Sequence, residues 1–163
     1  MSVRSCGILL YRYENKMLQV MLAHPGGPFW AKKDEGAWSI PKGIVEGDEE
    51  PLAAAKREFG EETGHEIDGD FLDLGELRQP SRKIVHAWAI ESDFDVNALK
   101  SNTFSLEWPK HSGKIFAYPE IDRAEWFGID EAKTKILKGQ AGFIDRLAEI
   151  TGYDPCAAAP DPS

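Results

Sequence analysis

Residues 57–64 read Arg57-Glu58-Phe59-Gly60-Glu61-Glu62-Thr63-Gly64, an order that no isolated helix would choose. The frame around it is nevertheless helical. Asp48 or Glu49 offers an N-cap, Pro51 stands near the first helical position, and Gly64 falls where helices stop, predicting a helix over 49–63. Leu52, Ala55 and Phe59 line one face at spacings of three and four. Glu58, Glu61 and Glu62 share another face, because residues three and four apart are neighbours on a helix. Like charges at that spacing repel by about 0.2–0.5 kcal/mol per pair. Anions near the C-terminal end oppose the helix dipole by about 0.3–1 kcal/mol more, and Gly60 costs about 1 kcal/mol of propensity. A bare Glu-Glu pair is ordinarily a solvated acidic face; a helix that accepts all these costs together has a cation to hold. Carboxylate oxygens are hard ligands, and no Cys or His stands among them at helical spacing, so Mg²⁺ fits first, Mn²⁺ next and zinc poorly.

Strand-like patterns surround this helix. Residues 6–13 and 18–23 are β-rich runs joined by Glu14-Asn15-Lys16, a hairpin signal. Leu18, Val20 and Leu22 alternate with Gln19, Met21 and Ala23, as in a half-buried strand. Residues 24–36 read as a loop, with Pro25-Gly26-Gly27-Pro28 as breakers, and 38–41 as a short extended piece. Further strands are expected at 71–77, 84–90 and 124–127, and a closing helix at 142–150 carried by Phe143, Ile144, Leu147 and Ile150. Strands mixed with a few helices predict an α/β fold with its sheet covered on both faces. Trp38 and Trp88 alternate into that core. His86 and His111 read as structural.

The 163 residues suit one domain, expected over 1–153, with 154–163 as a disordered tail rich in proline and alanine. A formal net charge of −9 argues against gripping a nucleic-acid backbone. No apolar run approaches the roughly 18 residues that a membrane-crossing helix needs. Cys6 and Cys156 build neither a disulfide framework nor a zinc cluster, which suits a reduced, cytoplasmic setting. Nothing in the sequence points to a protein partner.

The spacing Gly43, five residues, Glu49, seven residues, then Arg57 to Gly64 resembles the Nudix box, G-x5-E-x7-R-E-U-x-E-E-x-G-U, with U a bulky apolar residue. All the fixed positions match, and Phe59 satisfies the first U; His65 stands at the second and departs from the pattern. At roughly 5–8% usage per residue type, such a match arises by chance on the order of 10⁻⁸ per starting position. The resemblance implies a Nudix-type α/β/α sandwich with a mixed central sheet. It also implies a metal-dependent hydrolase of nucleoside diphosphates linked to another moiety, its partner being a small nucleotide. Carried over by motif position, Glu58, Glu61 and Glu62 would hold Mg²⁺ or Mn²⁺ against bridging phosphate oxygens. Arg57 would orient the glutamates through a fork-shaped ion pair, and Glu49 would position Arg57 or a metal-bound water. Gly43 would let the backbone turn before the helix, with a carbonyl near Lys42-Gly43 as a further ligand. Glu58 or a loop carboxylate would take the water's proton. Glu120, preceding a strand-like stretch where many relatives present a loop glutamate, is the candidate, with Glu107 and Glu125 as competitors.

Substrate signals are thinner. Residues 4–11 and 38–43 are similar to diadenosine tetraphosphate hydrolases, which favours cleavage of that substrate to ATP and AMP. The Tyr that this subgroup carries 16–18 residues after the box is replaced by Ser81, Arg82 and Lys83. Pro80 instead stands where ADP-ribose hydrolases carry a proline, which keeps an ADP-ribose pyrophosphatase as the alternative. A nucleotide-binding regulator without catalysis is a third reading, but such proteins typically lose box glutamates and none is lost here. Lys42, Lys110 and Lys114 are candidate phosphate contacts, the last two in a basic, turn-rich stretch, 102–119. Phe104, Trp108, Phe116 and Tyr118 are candidate stacking partners for a base.

Overall fold

Asn15 and Lys16 both take positive φ, 51° and 65°, the two-residue turn whose twist matches a β-hairpin. They join β1 (Arg4–Glu14) to β2 (Met17–Pro25), paired antiparallel from Glu14↔Met17 to Tyr11↔Val20. The computed structural model describes residues 4–80 and 82–153; Ser81 and the expected tail at 154–163, with Cys156, lie outside them. The remaining strands are β3 (Lys42–Ile44), β4 (Leu72–Arg78), β5 (Ile84–Glu91), β6 (Thr103–Glu107), β7 (Ile115–Pro119) and β8 (Ile121–Gly128). The helices are α1 (Pro51–Thr63), α2 (Ile129–Lys135) and α3 (Ala141–Thr151).

The central sheet runs β4-β5-β1-β2-β8, with β3 also on β1. It is mixed: β1 and β5 are parallel, the other pairs antiparallel. One edge of β1 pairs with β5 along its length, from Arg4↔Ile84 to Tyr11↔Glu91. The other edge is shared. β3 takes Ser5 to Gly7 and β2 takes Tyr11 to Glu14. Between them the Ile8 amide donates to Pro41 O at 3.1 Å, while Ala23 and Ser39 exchange backbone bonds at 2.8 and 2.9 Å. The sheet therefore parts between β2 and β3, bridged by Ala23 and Ser39.

Side chains alternate across this sheet as the pleat requires. Cys6, Ile8 and Leu10 of β1, Met21 of β2 and Trp88 and Ile90 of β5 pack against Ala54, Ala55 and Phe59 of α1. Leu9 and Tyr11, Leu18, Val20 and Leu22, and Val85, Ala87 and Ala89 face the opposite layer, with Trp38, Phe127, Ala132 of α2 and Phe143, Ile144 and Leu147 of α3. This is the expected α/β/α arrangement. Trp38 and Trp88 are buried, as their alternation predicts.

Three boundaries differ from the sequence reading, each for a local reason. The helix begins at Pro51 rather than at residue 49; its N-cap is Glu50, extended at φ −67° and ψ 141°, with no side-chain cap. Neither Asp48 nor Glu49 caps it, and the Glu49 carboxylate is taken by Arg57 instead. α2, unforeseen in the sequence, is too short to show a period; Asp130 and Glu131 in its first turn and Lys133 and Lys135 in its last complement the helix dipole. The stretch read as a turn-rich island is a β-hairpin, β6 on β7 in register from Thr103↔Pro119 to Glu107↔Ile115. Its alternation, Phe104 and Leu106 against Phe116 and Tyr118, is the signal that marks it. No described helix is long and apolar enough to cross a membrane.

Candidate active site

α1 ends as its sequence demands: Gly64 takes a left-handed φ of 79° and its amide donates to Gly60 O at 2.8 Å. His65 fills the apolar position that follows by packing its ring on an aromatic neighbour. It meets Phe94 at a centroid distance of 5.0 Å and an 85° angle, and its Nε2 lies 2.7 Å from Ala98 O. Gly60 is different, because a Cβ there would meet only His65 O, at an ordinary 3.8 Å. Gly60→Ala is therefore expected to stabilise the protein by about 0.5–1 kcal/mol with activity unchanged. Thermal unfolding checks this, and a lower melting temperature would contradict it.

Arg57 organises the carboxylates. Its Nε and Nη2 grip Glu49 at 2.8 and 3.1 Å, its Nη1 donates to Glu58 at 2.9 Å and Glu61 at 3.2 Å, and Nη2 also reaches Ile44 O at 3.2 Å. The planar fork thus locks two glutamates of the helix together with a third that precedes it. This pairing holds the Glu49 carboxyl below the usual range and the guanidinium above its own.

Glu58 lies against Gly43, and a Cβ at Gly43 would fall on the Glu58 carboxyl group. Gly43 is thus needed for close approach. The expectation that it supplies a turn is corrected, since it sits in β3, paired with Cys6, and has no positive φ. Glu62 accepts the Lys42 amide at 3.0 Å. Burial pushes the Glu62 carboxyl up to about 8, and the charges of Glu58 and Glu120 push the same way against Lys42. Glu58 is raised by burial too, with Glu61 and Glu120 adding to it while Arg57 opposes. Burial lowers the Lys42 ammonium, helped by Lys83 and opposed by Glu62 and Glu58.

Glu120, just ahead of β8, therefore acts on both Glu58 and Glu62, and it lines the same cleft as Glu62. Of its competitors, Glu107 accepts the His111 amide at 2.8 Å in the hairpin turn, and Glu125 lies exposed on β8; neither lines that cleft. Among the described residues no three His, Cys, Asp or Glu side chains are gathered into a ready ligand set. The donors nevertheless fit a hard cation: all are carboxylate oxygens, and burial together with like-charge repulsion disfavours the bare charge of Glu58 and Glu62. Glu58, Glu61 and Glu62 would hold it.

The cleft beside these groups has two lobes that share Pro25, Trp30, Glu62 and Glu120. One, about 500 Å³, is walled by residues 26–30 and by Phe104 and Leu106 of the hairpin. The other, about 200 Å³, is lined by Ala37, Ser39, Ile40, Lys42 and Leu137. A larger cavity of about 700 Å³ follows the outer side of α1 past Lys56, Arg57, Glu61 and His65. Its lining holds Lys56, paired to Asp68, Arg57, paired to its glutamates, and Glu66, and Glu61 alone of the three helix glutamates faces it. The chemistry is better placed on the two-lobed side.

Lys42 reaches the smaller lobe, while Lys110 and Lys114 stand exposed in the turn between β6 and β7 and line neither. Of the four candidate aromatics, Phe104 alone lines the cleft; Tyr118 pairs with it across the hairpin, and Trp108 and Phe116 are exposed. His86 stacks on Trp88 at 3.9 Å and bonds Asp73, a structural role. Pro80 lies in the β4–β5 turn beside Gly139. The Cys6 thiol is pushed up to about 11 by burial and offers no nucleophile. Two residues that sequence reasoning missed belong to this site. Trp30 lines both lobes. Buried His24 straps the loop that carries Trp30, its Nε2 lying 2.6 Å from Lys33 O and its Nδ1 2.8 Å from Asp122.

A mixed sheet between helical layers, with an Arg-organised glutamate helix packed on one face, is an arrangement that a family of pyrophosphohydrolases shares. The NUDIX domain family model matches residues 1–147, and the chain belongs to that family, whose hydrolases generally use divalent metal ions. Among curated proteins it is 27% identical over 145 residues to the rat (Rattus norvegicus) bis(5'-nucleosyl)-tetraphosphatase [asymmetrical], covering 81% of this chain and 83% of the rat protein. Among solved structures it matches the NUDIX domain of Shewanella oneidensis NrtR complexed with ADP ribose, at TM-score 0.65 and 14% identity over 93% of this chain and 89% of that one. A binary complex of a C. elegans Ap4A hydrolase matches at TM-score 0.61 and 18% identity, over 93% and 99%. At those identities the structures speak for the fold alone.

Proposed function

We propose that this Nudix enzyme cleaves nucleoside polyphosphates, with diadenosine tetraphosphate, split into ATP and AMP, as its best substrate. The observation that carries the reading is the intact set of Glu58 and Glu61, held by Arg57, and Glu62, held by the Lys42 amide, beside a cleft that joins an apolar lobe to Lys42. Similarity to the rat tetraphosphatase points the same way. Bound Mg²⁺, or Mn²⁺ in its place, supplies charge cancellation at bridging phosphate oxygens and a more acidic water. Arg57 keeps Glu58 and Glu61 aimed, and Glu58 or Glu120 takes the proton from the attacking water. Lys42 meets a phosphate as a point charge. Lys110 and Lys114, a basic tip on an acidic protein, steer the polyanion towards the cleft. A cytoplasmic site of action goes with this reading, as does the absence of any role for nucleic acid or membrane.

A nucleotide-panel assay with Mg²⁺ and Mn²⁺ tests it. Diadenosine tetraphosphate is expected to give ATP and AMP, with ADP-ribose much the poorer substrate. Efficient release of AMP and ribose 5-phosphate from ADP-ribose would overturn the preference and favour the ADP-ribose pyrophosphatase reading, which the position of Pro80 supports. Metal binding has its own readout. At tenfold excess over Kd, a ligand that binds only the folded state adds about 1.4 kcal/mol, roughly 3–6 °C for a chain of this size. Millimolar Mg²⁺ is expected to raise the melting temperature by that order, and no shift would count against a metal site at these glutamates.

A further inference from the structure

We propose that Trp30 and Phe104 are the residues that read the nucleobase, and that the cleft reads only one base. The proposal rests on the nucleoside polyphosphate reading above and deepens it. The two lobes differ in both size and chemistry. Sites that enclose an organic ligand span about 300–1,000 Å³. The lobe walled by Trp30 and Phe104, about 500 Å³, falls inside that range, and the Lys42 lobe, about 200 Å³, falls below it. Apart from the shared Trp30, Glu62 and Glu120, the smaller lobe is lined by small and aliphatic side chains, Ser39 and Lys42, with no second aromatic face to stack on. Lys42 gives it one contact for a phosphate, and its volume leaves no room for a second nucleoside. Glu62 and Glu120 line both lobes, which puts the bond to be broken at their junction.

The aromatic lobe is built rigidly, as a reading surface must be. Phe104 projects from β6 over Gly27, where a Cβ would come within 2.9 Å of its ring and where φ is +96°, so both space and backbone conformation call for glycine. The Gly26 amide donates to Glu120 O at 2.9 Å, tying the start of the Trp30 loop to the carboxylate side of the cleft. Its far end is held by His24, buried against Trp38 at a centroid distance of 5.1 Å. The hairpin is tied at its base as well. The Asn102 amide donates to Glu61 O on α1, and the Glu120 amide to Asn102 O. The ties at Gly26 and Asn102 run to Glu120 and Glu61 themselves, so backbone bonds set the spacing between the aromatic wall and the carboxylates. Stacking of one base contributes about 1–3 kcal/mol, roughly 5- to 150-fold in affinity.

The test uses the full chain and two readouts. In steady-state kinetics with Mg²⁺, adenosine 5′-tetraphosphate is expected to match diadenosine tetraphosphate in kcat/KM within about threefold. Trp30→Ala and Phe104→Ala are each expected to raise KM at least tenfold for both, with kcat changed less than threefold. In calorimetric titration with AMP, both alanine variants are expected to bind at least tenfold more weakly, and Trp30→Phe and Phe104→Tyr to recover most of the affinity. The AMP arm separates two failures. If no polyphosphate is cleaved but the alanine variants lose AMP, the functional reading falls and the base-reading assignment stands. If the alanine variants bind AMP as the wild type does, or diadenosine tetraphosphate is preferred by thirtyfold or more, the assignment is overturned. Should an alanine variant fail to fold, as its melting curve would reveal, Trp30→Leu and Phe104→Leu keep an apolar wall without an aromatic face, and AMP binding at wild-type strength by them overturns the assignment.

Discussion

Replacing Glu62 by glutamine is expected to lower turnover at least about 100-fold while the metal-free protein melts no lower than the wild type. The two halves have separate causes. Glu62 is packed where burial and the charges of Glu58 and Glu120 already push its carboxyl up to about 8, so a neutral side chain of the same shape removes repulsion. The Lys42 amide keeps an acceptor, because the glutamine carbonyl oxygen replaces the carboxylate oxygen it bonds at 3.0 Å. What disappears is a charged oxygen ligand for the cation, and a hundredfold loss is only about 2.7 kcal/mol of transition-state stabilisation. Glu61→Gln is expected to behave similarly in turnover, although it also turns one Arg57 ion pair into a hydrogen bond to a neutral acceptor. Turnover within a few-fold of the wild type in either variant would remove these glutamates from the chemistry.

Gly43→Ala is expected to be as damaging, through displacement alone. No ligand is deleted and no backbone strain is introduced, since Gly43 lies in a paired strand without positive φ. The added methyl would occupy the place of the Glu58 carboxyl group, which Arg57 holds at 2.9 Å. Glu58 is the tip of a flexible side chain, so the fold survives by letting it swing away. Activity is expected to fall at least about 100-fold and the Mg²⁺-induced rise in melting temperature to shrink, with metal-free stability near the wild type. Comparison with Gly60→Ala, on the same helix as Glu58 but with free space at Cβ, isolates the steric cause. A fully active Gly43→Ala protein would show that Glu58 is not needed where it now lies.

The glutamate face, the alternation of β2 and the burial of Trp38 and Trp88 follow from periodicities of 3.6 and 2, and the stop at Gly64 from glycine's freedom at positive φ. These act between near neighbours and so are written locally. The Arg57 fork was implied by the resemblance to the box, and its carboxylate partners lie one, four and eight residues away. The need for Gly43 is legible too, but its cause is not: the clash that requires it comes from Glu58, across the packing of α1 on β3. Trp30 and His24 are hidden inside a stretch that reads as loop, since nothing local says that His24 will meet Asp122, 98 residues on.

By itself, then, the sequence determined the kind of chemistry: a helix that gathers like charges at a cost states its need for a cation wherever it is placed. It also determined the alternation that makes a two-faced sheet. The tertiary structure alone decided which groups meet at the cleft. Glu120 joins Glu58 and Glu62, the hairpin brings Phe104 over Gly27, and Lys42 reaches the smaller lobe while Lys110 and Lys114 remain at the hairpin tip. The physical reason is that local propensities and like-charge costs act over a few residues, whereas the cleft is formed by strands that part and by backbone bonds between distant segments, which only the packed chain brings into reach.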